Sequence, residues 1–266
     1  MIVHLSKEIL DTAYYGFMYE EDYPVSNVCF SKDNLENLNV AIKKMLELLN
    51  IEKAISALDK IRVFFLDMDE FYCAYHCSIS NPDFLYTDKI KDSVKDLACN
   101  LYRETEGFNS KNDDIITLFH DYGELIAHAN KTSILINKDS VPTQLGLHLV
   151  CHEIMHSLAS PDAVGELRKD GTDEKTYGDE AINEYFARLA TLIFNSIDVP
   201  KNKQISGYTN WNDEKLFNCS PHSKELGLYG ELLANLRDEK WNDNYDAVES
   251  VKELARFYFL GEKTTK

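Results

Sequence analysis

The chain has 266 residues, enough to bury a core without help from disulfides. Its 28 Lys and Arg stand against 45 Asp and Glu, a net charge of −17, with 44% hydrophobic and 27% charged residues. That composition is globular rather than disordered. The acidity speaks against nucleic acid, which needs a basic footprint, and against anionic membranes.

The N-terminus, MIVHLSKEIL, carries an acid by position 8 and no apolar run behind it. It does not read as a secretory signal, and no stretch approaches the ~18 apolar residues of a membrane span. The expectation is a cytoplasmic protein, or one exported as an effector without a cleavable leader. Cys29, Cys73, Cys77, Cys99, Cys151 and Cys219 follow no disulfide-framework spacing, so reduced thiols are expected.

In chain order, the tyrosines and acids between Asp11 and Tyr23 suggest an aromatic layer with a solvated face. Leu35, Leu38, Ile42, Leu46 and Leu49 recur at helical spacing, which predicts a helix over 34–51. Ile61 to Asp67 reads as a buried strand. Lys89 to Tyr102 reads as a helix, and Asp114 to His120 and Thr132 to Asn137 as strands. The last of these is either an edge strand that pairs with extended substrate or an interior strand. After Pro142 a helix is predicted from Gln144 to Ala159. Further helices are expected over 179–196, 224–238 and 243–260. The polar stretches 109–114, 161–173 and 200–213 read as connections. A few strands followed by mostly helices is an α+β order, here in one domain spanning 1–266, with 1–58 a candidate helical extension.

The chemistry sits in Val150-Cys-His-Glu-Ile-Met-His-Ser-Leu158. His152 and His156 are four apart, so on a helix they stack one turn above the other and both imidazoles can reach one Zn²⁺. Glu153 projects beside them, placed to act as general base without ligating. This is the HExxH pattern of zinc metallopeptidases. His148 lies a further turn upstream, about 12 Å along the axis from His156, and is read as structural. Cys73-Ala-Tyr-His76-Cys77 holds metal-type residues without a second pair. Cys151 reads as helix packing, and His222 as a solvated loop residue.

Two imidazoles leave the metal under-coordinated, so a third ligand is needed. Asp162 occupies the metzincin position, but Ala159 stands where that pattern has glycine. Ile182, Tyr185, Phe186, Leu189 and Ile193 form an apolar stripe, with Glu184 off it beside Ala187 and Thr191. Small residues around a carboxylate allow a close helix approach, and a glutamate from a second helix is the gluzincin solution. Glu180 shares its face, four residues away.

Asn183-Glu184-Tyr-Phe-Ala187 resembles the NExxA-type segment of thermolysin-like and M1-aminopeptidase-like gluzincins. With Tyr177-Gly178 ahead of it, the stretch is similar to the catalytic domain of anthrax lethal factor and the Pro-Pro endopeptidases. The resemblance covers about residues 150–190. It implies a zincin-like fold with a small mixed sheet, and a zinc-dependent endopeptidase acting on protein or peptide. It also implies Glu184 as metal ligand and Tyr177 as the phenol that steadies the oxyanion. Where those domains carry an acid four residues after the ligand, Arg188 stands here, and a buried arginine beside a ligating glutamate needs a partner of its own. Gly171-Thr-Asp-Glu-Lys-Thr-Tyr-Gly178 resembles the aspzincin pattern instead, which implies Glu174 (or Asp173) as ligand and again Tyr177 as phenol. A catalytically silent zinc-binding interaction protein is the reading from a different class.

Overall fold

The structure, a computed structural model, describes residues 4–15, 32–106, 127–130, 132–139, 146–167, 173–197 and 246–263. Within them the architecture is mixed α and β, mostly helical, around a three-stranded sheet. The expected strand 114–120, the expected helix 224–238 and the polar stretches 109–114 and 200–213 lie outside the described residues, as do Cys29, Cys219 and most of the 11–23 segment.

Strand β1 (Arg62–Leu66) is β-branched and aromatic, as a half-buried strand prefers. It pairs in parallel with β3 (Ser133–Asn137), Phe64 opposite Leu135. The short β2 (Ala127–Asn130) pairs antiparallel with the other side of β3. The order is therefore β1-β3-β2. This decides the open question about residues 132–137: β3 is the interior strand, buried along its whole length, and among the described strands β1 and β2 are the two edges.

The sheet separates two apolar clusters. On one face Leu66 and Leu135 meet α4 (Met68–Ser80) and α5 (Val94–Glu106). On the other, Ile134 and Ile136 join a larger cluster drawn from six helices. These are α1 (Lys7–Tyr15), α2 (Lys32–Leu48), α3 (Glu52–Leu58), α6 (Gly146–Leu158), α8 (Asp173–Ser196) and α9 (Ala247–Leu260). Leu10, Ala13, Leu38, Ile42 and Leu46 are thus part of the same buried mass as the motif helix.

Local chemistry sets the ends. Asp67 caps α4, its side chain accepting from Glu70 N at 3.0 Å, while Asp139 accepts from Met68 N at 2.9 Å. Asn50, at φ 60°, closes α2 and lets Ile51 N–H return to the Leu46 carbonyl at 2.8 Å. The predicted helix over 89–102 opens instead with a 3-10 turn, Lys91–Ser93, before α5. The stretch read as a connection after Pro161 folds into α7 (Pro161–Leu167), with proline at the first helical position.

Gly261 ends α9 at φ 70°, and a Cβ there would sit 2.6 Å from Ser160 Oγ and 3.2 Å from Asp162 Cβ. Gly261→Ala is expected to lower the unfolding free energy by about 1–2 kcal/mol, the cost of a left-handed non-glycine residue. Urea denaturation checks it, and an unchanged midpoint would contradict the strain.

Candidate metal centre

Helix α6 is apolar on most sides, with Leu147, Val150, Cys151, Ile154, Met155 and Leu158 buried. Its remaining side carries His152, Glu153 and His156, all half-buried. A four-residue spacing on a helix stacks the two imidazoles, and their rings lie 4.9 Å apart at 77°. The two Nε2 atoms approach to 3.2 Å. Two nitrogens on one tetrahedral zinc, each bonded at about 2.0–2.1 Å, stand about 3.3 Å apart. The observed separation matches that spacing.

Helix α8 supplies Glu184, 2% exposed. The small residues expected to permit close approach do so: Cys151 Sγ lies 3.6 Å from the Ala187 carbonyl, and His148 Nδ1 3.1 Å from Thr191 Oγ1. Glu184 Oε2 meets His152 Nδ1 at 2.9 Å. His148 Nε2 lies 3.0 and 3.1 Å from the two carboxylate oxygens, and Arg188 Nε donates to Oε1 at 2.8 Å. Arg188, fully buried, thus has Glu184 itself as its partner.

Thr191 donates its hydroxyl proton to the Ala187 carbonyl at 2.8 Å, so His148 Nδ1–H donates to Thr191. Burial alone would raise the Glu184 carboxyl, but the His148 and Arg188 charges and the His148 and His152 hydrogen bonds hold it well below the usual carboxylate range.

The centre is tied to the C-terminal helix. Asn183 Nδ2 donates to the His152 carbonyl at 3.0 Å. The buried Tyr258 hydroxyl of α9 donates to Asp179 at 3.0 Å and lies 3.3 Å from Asn183 Oδ1.

Among the described residues, no three His, Cys, Asp or Glu side chains aim at one common point. Glu184 meets the Nδ1 edge of the His152 ring, whereas His156 meets its Nε2. Tyr177, expected to precede a helix, lies instead within α8, which starts at Asp173. The side chains of Tyr177, Asp173, Glu174 and Glu180 lie outside the described residues, as does His222. Asp162 is exposed on the first turn of α7. Cys73 and Cys77 are buried in α4, their thiols pushed up by burial to about 12 and about 11.

One residue escaped the sequence reading. His128 of β2 packs edge-on against Tyr75 at 4.9 Å, and burial, with His156 adding, pushes its imidazole down to about 4. A four-residue strand without β-branched residues gives no sequence signal. Its unfolded value is 6.5, so below that the unfolded chain takes the proton first. The contribution to stability is complete above pH 6.5, and is lost as pH falls from there through about 4. Across that window metal-free protein is expected to lose about 2–3 kcal/mol through this group. His128→Gln should flatten the slope in urea titrations at several pH values; an unaltered slope would exclude His128 as its source.

Comparison with protein-family models, with curated proteins and with solved structures finds no match to this chain. Among the described residues no helix is long and apolar enough to cross a membrane.

Proposed function

We propose that the chain is a zinc-dependent metalloendopeptidase with a zincin-like fold, hydrolysing peptide bonds in a protein or peptide substrate. The observation that carries this reading is the 3.2 Å approach of His152 Nε2 to His156 Nε2, with Glu153 beside them on the half-buried side of α6. His152 and His156 would hold one Zn²⁺, with Glu184 from α8 as third ligand.

Zinc, when bound, supplies Lewis acidity toward the scissile carbonyl and eases the deprotonation of water. Glu153 takes the proton from the attacking water and passes it to the leaving amine. Tyr177, by the resemblance of its segment, donates a hydrogen bond to the developing oxyanion. Arg188 and His148 keep Glu184 ionised. The acidic balance of the chain favours peptide over nucleic acid as substrate.

One observation favours a variant of this reading. Glu184 touches the Nδ1 side of His152, the position of a carboxylate that orients a ligand histidine. The third ligand would then come from Glu174, as the aspzincin-like segment implies. Metal analysis with cleavage of a fluorogenic peptide library, with and without chelator, tests the main reading. About one zinc per chain and cleavage abolished by chelator are expected. A folded chain that takes up no zinc would end the hydrolase reading, whereas zinc without cleavage would favour a silent binding protein.

A further inference from the structure

We infer that Arg188 and His148 are positioning residues that clamp the Glu184 carboxylate from two helices and so set how tightly the centre holds metal. The inference rests on the proposed function in one respect, that Glu184 belongs to a zinc site. A carboxylate offers about four acceptor positions. On Glu184, Oε1 receives Arg188 Nε at 2.8 Å, His148 Nε2 bridges both oxygens, and Oε2 receives His152 Nδ1 at 2.9 Å.

The two clamping groups act from different directions. Arg188 follows Glu184 by four residues on α8, so its side chain runs along the same helix face. His148 reaches across from α6, one turn before His152, and is fixed in turn by Thr191 of α8 at 3.1 Å. Held from its own helix and from the facing one, the carboxylate is fixed in orientation, with Oε2 turned toward His152. All three residues are fully or nearly fully buried, so water cannot substitute for a lost donor without entering the seam.

The test measures zinc affinity by chelator competition in the full-length chain, with far-UV circular dichroism as the check on folding. Arg188→Met, which keeps much of the side-chain volume, is expected to weaken zinc binding about 10–100-fold, the usual effect of losing an outer-shell partner. Arg188→Lys should recover part of that loss, and the visible spectrum of the cobalt(II)-loaded protein should change in Arg188→Met and revert toward the parent in Arg188→Lys. Thr191→Val is the milder second variant. It removes the acceptor that fixes His148 and is expected to weaken zinc several-fold even if Arg188→Met fails to fold. Unchanged or tighter zinc binding in the variants that fold overturns the clamp while leaving the metal site standing. A parent chain that binds no zinc overturns the function reading and the clamp with it.

Discussion

Glu153→Gln is expected to reduce peptide cleavage about 10²–10⁴-fold, the usual contribution of a positioned general base, while zinc stays bound. Glutamine keeps the size of the side chain and a hydrogen-bonding oxygen but cannot accept a proton from water. Because α6 is held through Leu147, Val150, Ile154, Met155 and Leu158, all buried on its other sides, the substitution should leave His152 and His156 in place. The measurement is turnover on a peptide the parent cleaves, with metal content on the same sample. Loss of zinc would recast Glu153 as a ligand, and retained turnover would remove it from the chemistry. His152→Ala and His156→Ala should instead lose metal and turnover together.

The second large effect concerns stability. Phe186 of α8 is fully buried and sits against Tyr185, Tyr258 and Phe259 at ring distances of 5.4, 6.0 and 4.8 Å. It lies two residues past Glu184 and joins α8 to the C-terminal helix. Phe186→Ala is expected to cost about 3–5 kcal/mol, from lost burial and the cavity left behind. That is a large share of the stability of an ordinary domain. Phe186→Leu should cost far less. Urea denaturation of the three proteins checks the order, and a cost below about 1 kcal/mol for alanine would mean that the ring cluster relaxes around the gap.

What could be read in advance followed the strength of the local signal. Helices α2, α6 and α9 are legible from apolar spacing, and β1 and β3 from β-branched and aromatic runs. Helix α4 is not, because Phe71, Tyr72, Cys73, Ala74, His76 and Cys77 are buried on several sides, which erases the stripe that periodicity needs. The start of α7 carried an unused sign, Ser160 followed by Pro161, and Ser160 Oγ does accept from Asp162 N at 3.3 Å.

At the site, the spacing of His152 and His156 fixes their stacking through helix geometry alone. Of the partners of Glu184, Arg188 follows from four-residue spacing on one helix, whereas His148 was beyond reach of spacing. His148 is too far along α6 to share an ion with His156, yet it lies level with a carboxylate arriving from another helix. Pairings of that kind depend on how two helices are set against each other, which no single stretch of chain encodes.

Cys151 gives the seam between α6 and α8 a built-in reporter. Its thiol points at the Ala187 carbonyl, 3.6 Å away, and burial holds it far above the ordinary cysteine range. Fully buried, it is expected to resist alkylating reagents, which attack thiolates they can reach. Modification at this position therefore requires the two helices to part, and its rate, followed by site-resolved mass spectrometry, clocks that breathing motion directly.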